Sequence, residues 1–152
     1  MLKEGSPAPA FTTRDANGST VRLKDFRGQK VVLYFYPKDD TPGCTKEACS
    51  FRDAFTDFQR SGIIVLGVSP DNEASHKKFT DKYQLPFTLL TDTDHSISDA
   101  YGTYGEKKFM GRTYMGVNRT TFLIDKKGKI KKVFAKVKPE EHAREVLDVF
   151  AD

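Results

Sequence analysis

Apolar and polar residues change period along this chain, and the changes mark out its elements. Val31 to Tyr36 (VVLYFY) is a continuous apolar run of strand length, the pattern of a strand buried on both faces, and Pro37 ends it. Ile63 to Val68 (IIVLGV) is a second such run. Between them, Ala48, Phe51, Phe55 and Phe58 recur at helical spacing up to Gly62. Thr41 suits the N-cap of that helix and Pro42 its first position, the favoured order at a helix start. A further helix is expected from about Asn72 to Tyr83, a strand from Thr88 to Thr91, and a short helix from Ser96 to Tyr101. Near the N-terminus, strand-like pieces flank a turn at Asp15-Ala-Asn17-Gly18. Gly102 to Gly116 holds four glycines and reads as a loop. Thr120 to Asp125 and Ile130 to Val137 form a hairpin around Lys127-Gly128, and Pro139 to Phe150 is a closing helix.

Strands that alternate with helices, followed by a hairpin and a last helix, imply an α/β sandwich around a mixed sheet. A strand, a helix with cysteines at its start, a crossover, a hairpin and a helix is thioredoxin-like in order. The expected architecture is therefore α/β with a thioredoxin-like fold, its central mixed β-sheet flanked by helices. The length, 152 residues, suits one domain over 1–152, and 38% hydrophobic residues with twelve Phe and no Trp supply one core.

Charge adds little. The net charge is +4, and its densest source is Lys126 to Lys138, where Lys alternates with Ile, Val and Phe. That is the pattern of an exposed hairpin with one buried face, so no nucleic-acid partner is expected. No apolar run approaches the roughly 18 residues of a membrane span, and the first residues lack an apolar signal region, so the expectation is cytoplasmic with no membrane partner.

Cysteine usage changes the picture. There are two, Cys44 and Cys49, too few for a secreted disulfide scaffold of this size. In a reducing compartment such a pair signals redox chemistry or metal binding. His76, His95 and His142 lie scattered and give no zinc-ligand spacing, so no metal is expected. Asp92 and Asp94 lack the Gly and Glu positions of a calcium loop and read as turn residues. Cys44 falls near the third position of its helix, where unpaired N–H groups and the helix dipole favour a thiolate. Thr41, one turn back, has a hydroxyl able to cap a backbone N–H and still bond a thiolate or a peroxide oxygen. On the cysteines alone, two small buried residues behind a conventional cap fit as well.

Pro37, Thr41 and Cys44 fill Pro-x-x-x-Thr-x-x-Cys, which resembles the active-site loop of the peroxiredoxins. The longer string YFYPKDDTPGCTKEACSFRD resembles the bacterioferritin-comigratory-protein, or PrxQ, subgroup, as does YGEKKFMGRTYMGVNRTTFLIDKKGKI. In order the resemblance covers nearly the whole chain. Two departures stand out: Asp39-Asp40 bring two acids next to Thr41, whose repulsion would oppose a thiolate, and Tyr104 stands where many relatives have Trp.

The resemblance implies a peroxidase with no cofactor. Cys44 is similar to the peroxidatic cysteine, which attacks a hydroperoxide and becomes a sulfenic acid. Cys49 matches the resolving cysteine, which implies a Cys44–Cys49 disulfide reduced by thioredoxin or a similar dithiol. Arg119 matches the family's active-site arginine, Thr41 and the N–H of Gly43 resemble its peroxide-binding donors, and Pro37 its shielding proline. The subgroup implies a monomer. Two rivals remain at this stage. A thiol–disulfide oxidoreductase favours Cys-x-x-Cys, which this chain lacks. A redox sensor would use the same disulfide as a switch.

Overall fold

The computed structural model describes residues 2–150. In chain order the elements are β1 (Thr12–Arg14), β2 (Thr20–Arg22), a short 3-10 turn (Leu23–Phe26), β3 (Lys30–Phe35), α1 (Pro42–Asp53), α2 (Phe55–Arg60), β4 (Ile63–Ser69), α3 (Glu73–Tyr83) and β5 (Thr88–Thr91). There follow α4 (Ser96–Ala100), β6 (Tyr104–Phe109), β7 (Arg112–Val117), β8 (Thr120–Ile124), β9 (Ile130–Phe134) and α5 (His142–Phe150). Five strands form the central sheet in the order β5-β4-β3-β8-β9. β3, β4 and β5 run parallel, while β8 is antiparallel to β3 and to β9. This is the mixed, thioredoxin-like sheet that the element order implied.

β3 lies at the centre because it is apolar on both faces. Alternate residues of a strand point to opposite sides. Val32 and Tyr34 accordingly join a core with Phe51 of α1, Phe58 of α2, Phe79 of α3 and Val146 and Phe150 of α5. Val31, Leu33 and Phe35 join the opposite core, with Leu66, Leu90, Phe122 and, near α4, Ile97 and Tyr101. Gly67 lets the first core close. A Cβ there would sit 2.8 Å from both the Tyr34 ring and the Leu89 side chain.

Four expectations need correction. The helix expected to run to Gly62 breaks at Ala54, whose φ of −97° and ψ of 5° lie in the bridge region; Phe58 is buried on the second piece, α2. Gly102–Gly116 is not a loop but the β6–β7 hairpin, closed by Met110 (φ 51°) and Gly111 (φ 79°). Two left-handed residues make the tight turn that matches strand twist. The ribbon lies outside the central sheet and exposes Phe109, Met110, Tyr114 and Met115. β9 stops at Phe134 rather than Val137. α5 begins at His142, because Pro139 to Glu141 form a turn in which the Glu141 N–H donates to the Lys138 carbonyl.

Candidate active site

β3 ends at Phe35, and the chain crosses from its carboxyl end through Pro37–Asp40 into α1. Thr41 is the N-cap residue, in extended conformation, and Pro42 takes the first helical position, as its preset φ and missing N–H favour. Cys44 therefore sits at the third helical position. The expected cap is not made by the side chain. The Thr41 hydroxyl donates back to the Lys38 carbonyl at 2.9 Å instead. Among the described residues no group accepts from the N–H of Gly43 or Cys44. Those two donors and the positive end of the helix dipole lie at the helix start that carries Cys44.

Arg119 follows β7 and precedes β8, the strand paired with β3, so the sheet register carries it to the same end as α1. Its Nη2 donates to Cys44 Sγ at 3.2 Å, and its Nη1 donates to Glu47 Oε1 at 2.6 Å. The planar fork thus holds the thiol with one prong and a carboxylate with the other. Gly43 permits this approach, since a Cβ there would lie 3.1 Å from Nη2. Burial works against the guanidinium charge, but Glu47 and Cys44 outweigh it and its pKa is raised.

Glu47 is a site residue that reading the sequence missed. It is fully buried, and burial pushes its carboxyl up to about 7 against the pull of Arg119. The available signal was its place three residues after Cys44, on the same helix face. Its second oxygen, Oε2, has no hydrogen-bond partner. Lys107 of β6 also comes near: its Nζ donates to the Val117 carbonyl at 2.8 Å. Burial and then Arg119 lower its pKa, while Cys44 acts the other way.

Cys49 is half-buried on the same helix as Cys44, and both thiols are free. Five residues along an α-helix rise about 7.5 Å and turn by about 140°, so the two Cα atoms stand roughly 8.6 Å apart. Pro37 is half-buried at the start of the crossover. The structure thus brings Thr41, Gly43, Cys44 and Arg119 to one end of the sheet and sets Cys49 further along α1.

Asp39 and Asp40 do not form the pair of free acids that the sequence suggested. The Asp39 carboxylate is buried and hydrogen-bonded to Tyr36, Ser75 and His76, and the Asp40 carboxylate accepts from Lys82 Nζ and the Tyr83 hydroxyl. Asp92 and Asp94 are turn residues as expected: Asp92 accepts the N–H groups of Ile97 and Ser98, and Asp94 that of Ser96. Tyr104, the other departure, stacks on His95 with ring centroids 4.1 Å apart.

A thioredoxin-like sheet presenting a helix-borne thiol to an arginine defines a thiol-dependent redox enzyme. The model of the AhpC/TSA family matches residues 5–133, and the chain belongs to that family, as a peroxiredoxin. It is 46% identical over 151 residues to Peroxiredoxin Bcp of Bacillus subtilis, covering 99% of this chain and 96% of that protein. It is 47% identical over 147 residues to Peroxiredoxin Bcp of Escherichia coli, covering 97% and 94%. Among solved structures, a PrxQ mutant of Xylella fastidiosa superimposes with a TM-score of 0.91 at 32% identity, covering 97% of this chain and 94% of that one. The bacterioferritin comigratory protein of Xanthomonas campestris, described by its alkyl peroxide reduction activity, gives 0.88 at 34% identity, covering 93% and 89%.

Proposed function

We propose that this peroxiredoxin reduces hydroperoxides, alkyl hydroperoxides among them, through Cys44 and resolves through Cys49. The observation that carries this reading is the Arg119 Nη2 hydrogen bond to Cys44 Sγ at the open N-terminus of α1. The thiolate is the form that attacks, and here the sulfur lies against a guanidinium at the positive end of a helix. The Cys44 sulfur attacks one peroxide oxygen; the O–O bond breaks and its electron pair leaves with the second oxygen. That oxygen takes a proton and departs as alcohol or water, while Cys44 becomes a sulfenic acid. Negative charge moves from sulfur to oxygen, so donors are needed at both ends of the breaking bond. Arg119 and the N–H groups of Gly43 and Cys44 supply them, and the Thr41 hydroxyl, its own proton committed to the Lys38 carbonyl, accepts from the peroxide O–H instead of donating. Pro37 shields the thiolate from bulk water.

The Cys49 thiolate then attacks the sulfenic sulfur and releases water, leaving a Cys44–Cys49 disulfide. A disulfide tolerates Cα separations of up to about 7 Å, less than the helical spacing of the two cysteines. The first turns of α1 therefore unwind in every cycle. A dithiol protein, thioredoxin or one like it, reduces the disulfide. With its partner cysteine in the same chain, the domain of residues 1–152 works as a cytoplasmic monomer. Among the described residues no helix is long and apolar enough to cross a membrane.

The test is a single turnover. Reduced protein mixed with substoichiometric hydrogen peroxide should consume it rapidly and yield the Cys44–Cys49 disulfide by peptide mass spectrometry. Cys49→Ser should consume one equivalent and stall as a sulfenic acid on Cys44. Full turnover with thioredoxin by Cys49→Ser would remove Cys49 from the mechanism.

A further inference from the structure

The crossover that leads into α1 is tied down by a buried polar cluster that the reaction described above does not use. Asp39 lies two residues before Thr41 and is buried, its side chain only 3% exposed. Its carboxylate accepts from the Tyr36 hydroxyl at 2.5 Å and from Ser75 Oγ at 2.8 Å, and it meets His76 Nδ1 at 2.7 Å. Its backbone N–H donates to Asp71 Oδ2 at 2.8 Å, and that oxygen also accepts from Ser69 Oγ at 2.6 Å. His76 is fully buried on α3, and its Nε2 stands 2.9 Å from the Leu90 carbonyl of β5. A carbonyl only accepts, so Nε2 carries a proton. Nδ1 meets the Asp39 carboxylate, which also accepts two O–H groups. One buried, mutually satisfied pair therefore fastens the crossover to α3 and β5.

The fastening stops abruptly. Asp40, next in the chain, has a left-handed φ of 55° and is itself exposed; it bonds the exposed Lys82 and the hydroxyl of half-buried Tyr83. Thr41 is half-buried, and α1 begins directly after it. The fixed end of the crossover therefore sets the direction in which α1 starts, and with it the aim of the Thr41 hydroxyl and of the Gly43 and Cys44 amides.

We infer that Asp39 and His76 are positioning residues of the peroxidatic site: by holding the crossover in place they favour the wound α1 that attacks peroxide over the unwound α1 that closes the disulfide. This rests on the two-cysteine mechanism proposed above. Loosening the pair should move the two steps in opposite directions. In Asp39→Asn and in His76→Gln, oxidation of Cys44 by limiting peroxide should slow by about tenfold, because fewer molecules hold the donors in line. Disulfide closure should quicken severalfold, because less helix remains to be unwound. The double variant should do little more than either single one, as expected for two ends of one interaction.

Rapid-quench alkylation followed by mass spectrometry reads both rates in one experiment. Asp40→Asn keeps a residue that tolerates positive φ and removes only an exposed ion pair, so both rates should stay within about twofold of wild type. If Asp39→Asn proves unfolded, Ser75→Ala removes a single donor from the same carboxylate and should shift the two rates in the same opposed sense, by less. Folded variants whose two rates are unchanged, or fall together, would overturn the positioning role while leaving the two-cysteine mechanism standing. A wild-type protein that forms no Cys44–Cys49 disulfide would overturn both.

Discussion

The two halves of α1 are held by different forces. The C-terminal half is packed. Phe51 stacks on Tyr34 with centroids 4.8 Å apart and meets the rings of Phe58 at 5.6 Å, Phe87 at 6.2 Å and His142 at 5.6 Å. Arg52 adds a hydrogen bond to the Tyr83 carbonyl, and Ser50 Oγ accepts the Ala143 N–H. The N-terminal half puts only the small side chains of Cys44 and Ala48 into the first core; beyond them it has one arginine, whose fork holds Cys44 and Glu47, and an exposed Lys46–Glu140 pair of small worth. Ring packing has no substitute once α1 shifts. A hydrogen bond from Arg119 to a thiolate weakens as soon as that sulfur becomes a neutral sulfenic acid. On the proposed mechanism the reaction itself loosens the half that must move, and the aromatic half anchors the rest.

The largest effect expected is chemical. Cys44→Ser should abolish peroxide reduction, because a hydroxyl is a far poorer nucleophile at neutral pH, and peroxide loss measured with the reduced variant should not exceed the buffer rate. Next in size is the anchor. Phe51→Ala should cost about 3–5 kcal/mol of stability by denaturant titration, since it removes a fully buried ring from the first core. A loss under about 1 kcal/mol would mean that the C-terminal half is not the anchored one.

Glu47 gives a pH signature of the N-terminal half. Its folded carboxyl is pushed up to about 7 by burial, from an ordinary value of 4.5, so between those values the folded protein holds a proton that the unfolded chain has released. Stability from this group is whole below about pH 4.5 and falls, by up to about 3 kcal/mol, as pH rises through about 7. Glu47→Gln should remove that decline. His142, pushed down to about 4 by burial and by Arg119, titrates with the opposite sign between its ordinary 6.5 and 4. Subtracting the variant's stability-against-pH curve from that of wild type isolates Glu47, and parallel curves would contradict the assignment. The smallest of these effects concerns the fork. Arg119→Lys keeps the charge but lacks the planar fork that spans sulfur and carboxylate, so the rate of Cys44 oxidation should fall about 100-fold, or ~2.7 kcal/mol, with the fold retained by circular dichroism.

What the sequence made legible follows the same division between local and distant causes. β3, the Thr41-Pro42 helix start and the two thiols on one helix were readable, because each depends on residues adjacent in the chain. The β6–β7 hairpin was not, because its turn uses Met110 where a tight hairpin usually shows Asn or Gly, and its glycines resemble those of a loop. Glu47 reads as one more solvated acid until Arg119, 72 residues on, is seen to meet it. The inward turn of Asp39 likewise depends on His76, 37 residues away. Arg119 itself was found through resemblance alone, since an arginine before a strand has no local mark of function.

The central claim is that α1 comes apart at its N-terminal half and stays packed beyond it. Hydrogen exchange of the backbone amides, followed by mass spectrometry on fully reduced and fully disulfide-bonded protein, tests it most directly. Oxidation should strip protection from about residues 45 to 52, whose acceptor carbonyls lie in the unwinding turns, while amides of α2 keep theirs, with a matching small loss of helix in far-UV circular dichroism. Equal protection across α1 in both states would contradict the account, because the two thiols cannot bond across an intact helix.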